Sequence, residues 1–360
     1  MAVGPTESIL VMGLVFALGL CVGSFLNVLA LRTLEGKSIV WPPSCCPACG
    51  QRIRAVDNIP LFSFLLLKGR CRWCRAPISW QYPLVELATA VSFLVLLKTF
   101  GATVYAVGMA VFVSTLIAVT ITDFREKLIP HDITYPSMLV GIGFSTVVRN
   151  DLLGAMAGVG ASYIIFDFIA HYGLKLYMLM QANRTAPEAA EADDDEAVDQ
   201  ALDVCQDQPA REMEEFEVMG GGDAVLSAVI SAWLGWQRLV VALVIGFLIG
   251  TLMGVVYLVV EMRKANILHQ CYRPAAAGAI LGFVLFALPF LVLGLAMGLK
   301  ATELPWLLMG LAGAAAGLVM GIVSVGTRVS KPFPFGPALA AGGVVAIFWN
   351  PAGALWQGGA

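Results

Sequence analysis

Charge is scarce in this chain. Asp, Glu, Lys and Arg make up 13% of its 360 residues, about half the share typical of soluble domains. Hydrophobic residues make up 59%, and the mean hydropathy is +0.82. A soluble domain of that composition would expose large apolar patches and aggregate. General disorder, a collagen-like repeat and a small disulfide scaffold are excluded on the same grounds. No basic region precedes the first apolar run, only Glu7, so that run does not read as a signal peptide. No platform of interleaved aromatic and basic residues is present, which excludes a nucleic-acid partner. What remains is an all-α polytopic membrane protein with membrane lipid around its helices.

The net charge of −3 conceals a split. Between Pro187 and Val218 there are 13 acidic residues and one basic residue, Arg211. The rest of the chain carries nine more positive than negative charges, placed between apolar runs as in cytoplasmic loops facing anionic lipid. The first run, residues 9–31, is followed by a polar segment with eight positives, Arg32, Lys37, Arg52, Arg54, Lys68, Arg70, Arg72 and Arg75. The positive-inside rule makes that segment cytoplasmic and puts the N-terminus outside. Further apolar runs lie at 83–97, 105–122, 135–148, 152–179, 224–234, 239–260, 275–298, 306–325 and 338–349, which predicts about eight to ten transmembrane helices. Two of them, 135–148 and 224–234, are shorter than the ~20 residues of a full crossing. Short, glycine-interrupted runs bearing charge often mark a site.

The cytoplasmic segment holds two C-x-x-C pairs, Cys46–Cys49 and Cys71–Cys74, with 21 residues between them. Each pair can place two thiolates on one ion at tetrahedral angles, and the spacing is close to that of a zinc ribbon. Gly50 and Gly69 flank the inner cysteines, where a tight knuckle needs positive φ. The segment is too small and polar to bury its own core, so a structural zinc held by Cys46, Cys49, Cys71 and Cys74 would supply folding energy. Unmetallated thiols or a redox pair are the alternatives. Cys45 is a fifth sulfur within reach.

Two aspartates sit at ends of apolar runs, and the charge-based topology puts both at the cytoplasmic edge. Asp123 closes the run ending Ile121-Thr122, and Asp223 follows Gly220-Gly221-Gly222. Two carboxyls sharing a low-dielectric site cannot both ionise easily, so one keeps a proton and the pair can act as base and acid on a water. Glycines before Asp223 let backbone approach a substrate strand. Taken singly, Asp223 reads as a helix N-cap and Asp123 as a solvated helix end beside Arg125 and Lys127. Asp167 and His171 lie one turn apart in an apolar run and read as a polar contact inside the bundle.

With these residues in place, the chain resembles the type IV prepilin peptidase family. The resemblance is carried by Gly23-Ser24-Phe25-Leu26-Asn27-Val28, the two C-x-x-C pairs, Asn58-Ile59-Pro60, and the block Ile78-Ser79-Trp80-Gln81-Tyr82-Pro83-Leu84-Val85-Glu86-Leu87. It continues through the stretch from Asp123 to Pro136, the G-x-G-D motif of Gly220, Gly222 and Asp223, Trp233-Leu234-Gly235-Trp236, and Pro334-Phe335-Gly336-Pro337. Their order and spacing over most of the chain are highly specific.

The resemblance implies a multi-pass enzyme of the bacterial inner membrane. Such enzymes cleave the basic leader of prepilins and pseudopilins after a glycine on the cytoplasmic side, then N-methylate the new terminus from S-adenosylmethionine. Asp123 and Asp223 would be the catalytic dyad. Gly220, Gly222 and Glu86 would support it, with zinc on the four cysteines. No G-x-G-x-x-G turn marks contacts to the methyl donor.

Domain boundaries follow: a first helix (1–31), a zinc-ribbon-like domain with the four paired cysteines (32–82), helices with the first aspartate (83–180), an acidic loop that reads as disordered (181–218), and helices with the second aspartate and the PFGP motif (219–360). The acidic loop could attract basic leaders or serve only as a linker. Three departures stand out: Val225 occupies the position where the family usually has lysine, the acidic loop is long, and the runs between 275 and 325 look like two extra spans. A catalytically silent scaffold and a membrane transporter are the competing readings.

Overall fold

The computed structural model describes residues 5–166, 221–264 and 334–349 continuously, with isolated positions elsewhere. Among these residues the chain is all-α. The elements are α1 (Pro5–Leu34), a 3-10 turn (Ala55–Asn58), α2 (Phe62–Leu66), α3 (Gln81–Phe100), α4 (Val104–Glu126), α5 (His131–Val147), α6 (Leu152–Phe166), α7 (Gly221–Leu234), α8 (Trp236–Lys264) and α9 (Gly336–Phe348). The acidic segment, Asp167, His171, Gly220, Cys205 and Cys271 lie outside the described residues, as do most of residues 275–325.

Helices α1, α3, α4 and α8 are long and apolar enough to cross a membrane. Helices α6, α7 and α9 are shorter apolar helices. Each long helix runs a few residues beyond its apolar run. In lipid the backbone must satisfy its own hydrogen bonds, so the helix continues through polar residues until water or a cap takes over. At α4 that cap is Thr103, whose hydroxyl accepts the Ala106 N–H at 3.2 Å.

The chain divides into two compact units, Met1–Gly246 with Phe335–Ala360, and Phe247–Pro334. The second contains the latter half of α8, ended by the Lys264–Glu261 ion pair. In the first unit, α1 packs on α3 and α4, α5 packs on α4 and α7, and α9 packs on α4 and α7. Lipid gives helices no hydrophobic reason to associate, so small residues that permit close approach matter most. A Cβ built on Gly19 would fall 2.5 Å from the Ala90 Cα, and one on Gly23 would fall 2.6 Å from the Glu86 Cα.

Trp233 of α7 anchors the other side. It is 1% exposed, with its ring 5.7 Å from Phe112 and 5.3 Å from Phe144. Its Nε1–H donates to the Ser137 hydroxyl at 3.1 Å, and that oxygen lies 3.0 Å from the Thr115 hydroxyl. One buried polar chain thereby fixes α4, α5 and α7 together. Helices α5 and α7 run in the same direction, since Ile129 meets Gly222 at one end and Ser145 donates to the Ala232 carbonyl at the other.

Gly19→Ala forces a new methyl against the α3 backbone, so the purified protein should lose about 1–3 kcal/mol of stability in detergent unfolding. Gly13→Ala, where a Cβ meets nothing within 4 Å, should not destabilise.

Candidate functional sites

Asp123 lies in the last turn of α4 and is 5% exposed. That turn ends at once: Lys127 adopts a left-handed φ of 54°, and its N–H returns to the Asp123 carbonyl at 2.9 Å. The side chain is therefore a buried carboxyl, not a solvated helix end. Its Oδ2 has no hydrogen-bond partner. The backbone of Gly336, at the start of α9, hydrogen-bonds the carboxyl. A Cβ on Gly336 would fall 2.6 Å from Oδ2, so only glycine leaves that oxygen clear.

Asp223 lies inside the first turn of α7, which begins at Gly221, so it is not the N-cap. Its carbonyl accepts the Ser227 hydroxyl at 2.8 Å, and the residue is partly buried. Its carboxyl is within electrostatic reach of the Asp123 carboxyl. Gly222 brings the α7 start onto the α4–α5 turn, where a Cβ would fall 2.9 Å from the Ile129 Cβ. The two acids, a hundred residues apart, thus lie at one end of the bundle, Asp123 against Gly336 and Asp223 beside Gly222. Such a pair can hold a water between a base and an acid.

Glu86 sits on α3 and is 6% exposed. Its Oε2 accepts the Leu61 N–H at 2.7 Å, and the Ser24 hydroxyl also reaches its carboxylate. Leu61 has φ 60° and ψ −48°, and the Phe62 N–H reaches back to the Pro60 carbonyl at 2.6 Å. This is a γ-turn, rare for a residue with a side chain. Glu86 therefore clips the loop after Asn58 onto α3, and nothing in its contacts reaches either aspartate.

The cysteine segment is built twice, with an offset of 25 residues. In the first knuckle the Gly50 N–H donates to the Cys46 carbonyl at 2.8 Å and the Cys46 N–H to the Gln51 carbonyl at 2.9 Å. In the second, the Arg75 N–H donates to the Cys71 carbonyl at 3.1 Å and the Cys71 N–H to the Ala76 carbonyl at 2.8 Å. Isolated bridges Cys45–Arg52 and Arg70–Pro77 close the two halves. Gly50 and Gly69 do have positive φ, but the left-handed residue after Cys74 is Arg75, at φ 61°.

All four sulfurs of Cys46, Cys49, Cys71 and Cys74 lie within 4.8 Å of one another, and Cys46 Sγ is 3.8 Å from Cys74 Sγ. Sulfurs around a tetrahedral ion with Zn–S bonds of about 2.3 Å sit about 3.8 Å apart. The backbone N–H groups of Cys74 and then Trp73 pull the Cys71 thiol down to about 7. Four thiolates this close repel unless a cation sits among them, so the donor set fits a structural divalent metal. Cys45 is exposed and outside the cluster. Around the knuckles, Arg72 grips Asp57 with two nitrogens and holds that carboxyl below its usual range, and the Arg54 guanidinium lies 4.9 Å from the Trp73 ring centre.

Sequence reasoning gave no role to a hydrogen-bond chain beside Asp123. Asn27, fully buried on α1, donates through Nδ2 to the Gly23 carbonyl at 3.2 Å. Its Oδ1 accepts from Gln81 Nε2 at 3.3 Å. Gln81 Oε1 in turn accepts from Arg125 Nε at 3.2 Å and Nη2 at 3.1 Å. A buried asparagine inside an apolar run was the available signal.

These features define a polytopic helical membrane protein with a cluster of four cysteines that could hold a metal ion and two aspartates at one end of its bundle. Two family profiles match the chain, one described as the bacterial peptidase A24 N-terminal domain over residues 17–100 and one as the type IV leader peptidase family over residues 110–255. Proteins named prepilin leader peptidase/N-methyltransferase are similar to it. The one from Myxococcus xanthus is 34% identical over 225 residues, covering 62% of this chain and 56% of that protein. The one from Pectobacterium carotovorum subsp. carotovorum is 33% identical over 255 residues, covering 63% and 76%. The one from Burkholderia pseudomallei is 27% identical over 383 residues, covering 97% and 89%. No solved structure matches. The chain belongs to the type IV leader peptidase family.

Cys74→Ser should abolish stoichiometric metal binding, measured by elemental analysis of the purified protein, while Cys45→Ser should retain one ion per chain.

Proposed function

We propose that this chain cleaves the basic leader of type IV prepilins or pseudopilins after a glycine, with Asp123 and Asp223 as its catalytic dyad. The observation that most supports this reading is the pairing of two carboxyls at one bundle end, one with a buried, unpartnered oxygen. The substrate is a pilin-like helix lying in the inner membrane with its leader on the cytoplasmic side. The charge of the segment after α1 supports that orientation.

One aspartate, as its carboxylate, takes a proton from water, and the oxygen attacks the scissile carbonyl carbon. The other, protonated, hydrogen-bonds the carbonyl oxygen and donates its proton as the tetrahedral intermediate forms. Collapse breaks the C–N bond and returns a proton to the leaving amine. Gly336 leaves room for the water beside the Asp123 carboxyl, and Gly222 lets the start of α7 pack on the α4–α5 turn. Gly220 completes the motif. Glu86 supports the site indirectly by fixing the loop before α2.

The ion on Cys46, Cys49, Cys71 and Cys74 is zinc in a structural role, since four sulfurs close its coordination. The relatives' names pair leader peptidase with N-methyltransferase. We extend the second activity to this chain, with S-adenosylmethionine as donor to the new N-terminal amine. Among the described residues no side-chain set marks the donor's site.

Asp123→Asn and Asp223→Asn should each reduce release of leader from a prepilin-like peptide by at least about 10³-fold, with membrane insertion and unfolding temperature unchanged. Full cleavage by either variant would refute the dyad, and an inactive wild-type protein would favour a silent scaffold. Gly336→Ala should lower kcat by roughly tenfold or more, because its methyl occupies the space beside Oδ2. A labelled methyl donor in the same assay reports the second activity.

A further inference from the structure

Asp123 lies close to the end of its helix: only three residues of α4 follow it. Helix ends fray. If the last turn opened, the Asp123 carboxyl would leave its place beside Gly336. The structure holds that turn from outside. Arg125, in the same turn, gives two hydrogen bonds to the side chain of Gln81.

Gln81 is itself the first residue of α3, so it too needs support. One support is Asn27, whose amide is fully buried. The other comes from the metal-binding segment, which ends seven residues earlier at Cys74. The Cys71 N–H bonds the Ala76 carbonyl, the Ile78 N–H bonds the Gly69 carbonyl at 2.7 Å, and the Ser79 hydroxyl accepts the Gln81 N–H at 3.2 Å. Hydrogen bonds thus run along the whole connection from the second knuckle to Gln81.

We propose that Gln81 is a positioning residue through which the four-cysteine metal knuckle fixes the turn that carries Asp123. The inference rests on the peptidase reading above. Metal binding orders the second knuckle, the knuckle sets the start of α3, and Gln81 transmits that position to Arg125. The effect is expected on the chemical step and not on substrate capture, because Gln81 is bonded to Asn27, Ser79 and Arg125 and acts on the turn of Asp123 through them.

The test uses full-length protein in lipid nanodiscs with a prepilin-like peptide. Gln81→Leu removes both hydrogen-bonding ends, and Gln81→Glu keeps an acceptor for Arg125. Expected are a kcat loss of about tenfold or more for Gln81→Leu with KM within about twofold, and recovery of most of that loss in Gln81→Glu. Stripping the metal with a chelator should lower kcat of the wild type but lower Gln81→Leu little further, since both act through one path. Gln81→Leu cleaving at the wild-type rate, or metal removal multiplying its defect in full, would overturn the inference while leaving the dyad intact. A Gln81→Leu protein that does not fold shifts the comparison to Gln81→Glu against Arg125→Leu. These should differ by about tenfold in kcat, and equal rates overturn the proposal. A wild type unable to cleave any prepilin peptide would remove the underlying reading and this inference with it.

Discussion

A bilayer supplies no hydrogen-bond partners, and the bundle is built around that constraint. Its hydroxyls are spent on backbone carbonyls one turn back: Thr89 on Val85, Ser92 on Ala88, Ser114 on Ala110 and Thr120 on Leu116. The buried indole nitrogen of Trp233 is paired with Ser137. Against that background, two buried side-chain oxygens without a partner stand out among the described residues, Ser231 Oγ and Asp123 Oδ2. A lone hydroxyl is a modest penalty, whereas a carboxyl oxygen left unpaired is a large one. The Gly336 backbone reaches the Asp123 carboxyl, and its lack of a Cβ leaves room beside Oδ2.

The same constraint explains why the two acids lie at helix ends. Asp123 is in the last turn of α4 and Asp223 in the first turn of α7, so neither needs to be carried into the hydrocarbon centre. The surrounding bundle then has to hold two terminal turns as accurately as it holds helix middles. Gly222 against Ile129 presses α7 onto the α4–α5 turn. Arg125 bound to Gln81 presses α4 onto α3. Trp233, packed at a tilt against Phe112 and Phe144, fixes the far end so that the near end has a rigid reference.

Much of this was legible in the residues. The runs ending at 31, 97 and 122 became helices ending at Leu34, Phe100 and Glu126, because apolar composition marks the hydrocarbon while backbone bonding carries the helix past it. The clustering of the four paired cysteines followed from spacing, and the placement of Asp123 and Asp223 in terminal helix turns followed from the ends of the apolar runs. Arg75 in the second knuckle was not legible, since an arginine at positive φ has no local signature, whereas Gly50 in the matching place does. The link from Asn27 through Gln81 to Arg125 joins residues far apart in the chain, and only the folded packing brings them together. Val225, where lysine is usual in the family, is 3% exposed on the inner face of α7. Asp223 therefore has no cation two residues along its own helix, and its charged neighbour is Asp123.

The metal segment carries strain that its own packing does not offset. Leu61, Lys68 and Arg75 all hold positive φ within fifteen residues, each at a cost of about 1–3 kcal/mol. Little of a core forms there: Phe62, Leu65, Leu66 and Trp80 are exposed, Phe64 is half-buried with its ring 5.0 Å from that of Trp80, and Cys46 is the buried hydrophobic residue of the segment. A structural zinc ion contributes about 10–16 kcal/mol of apparent binding free energy in small domains, enough to outweigh three such residues. With an ion on the four sulfurs, the fold of the segment and that occupancy would be one equilibrium, and whatever the segment abuts would inherit it. What it abuts is the first turn of α3, one hydrogen-bonded side chain away from the helix end that carries Asp123.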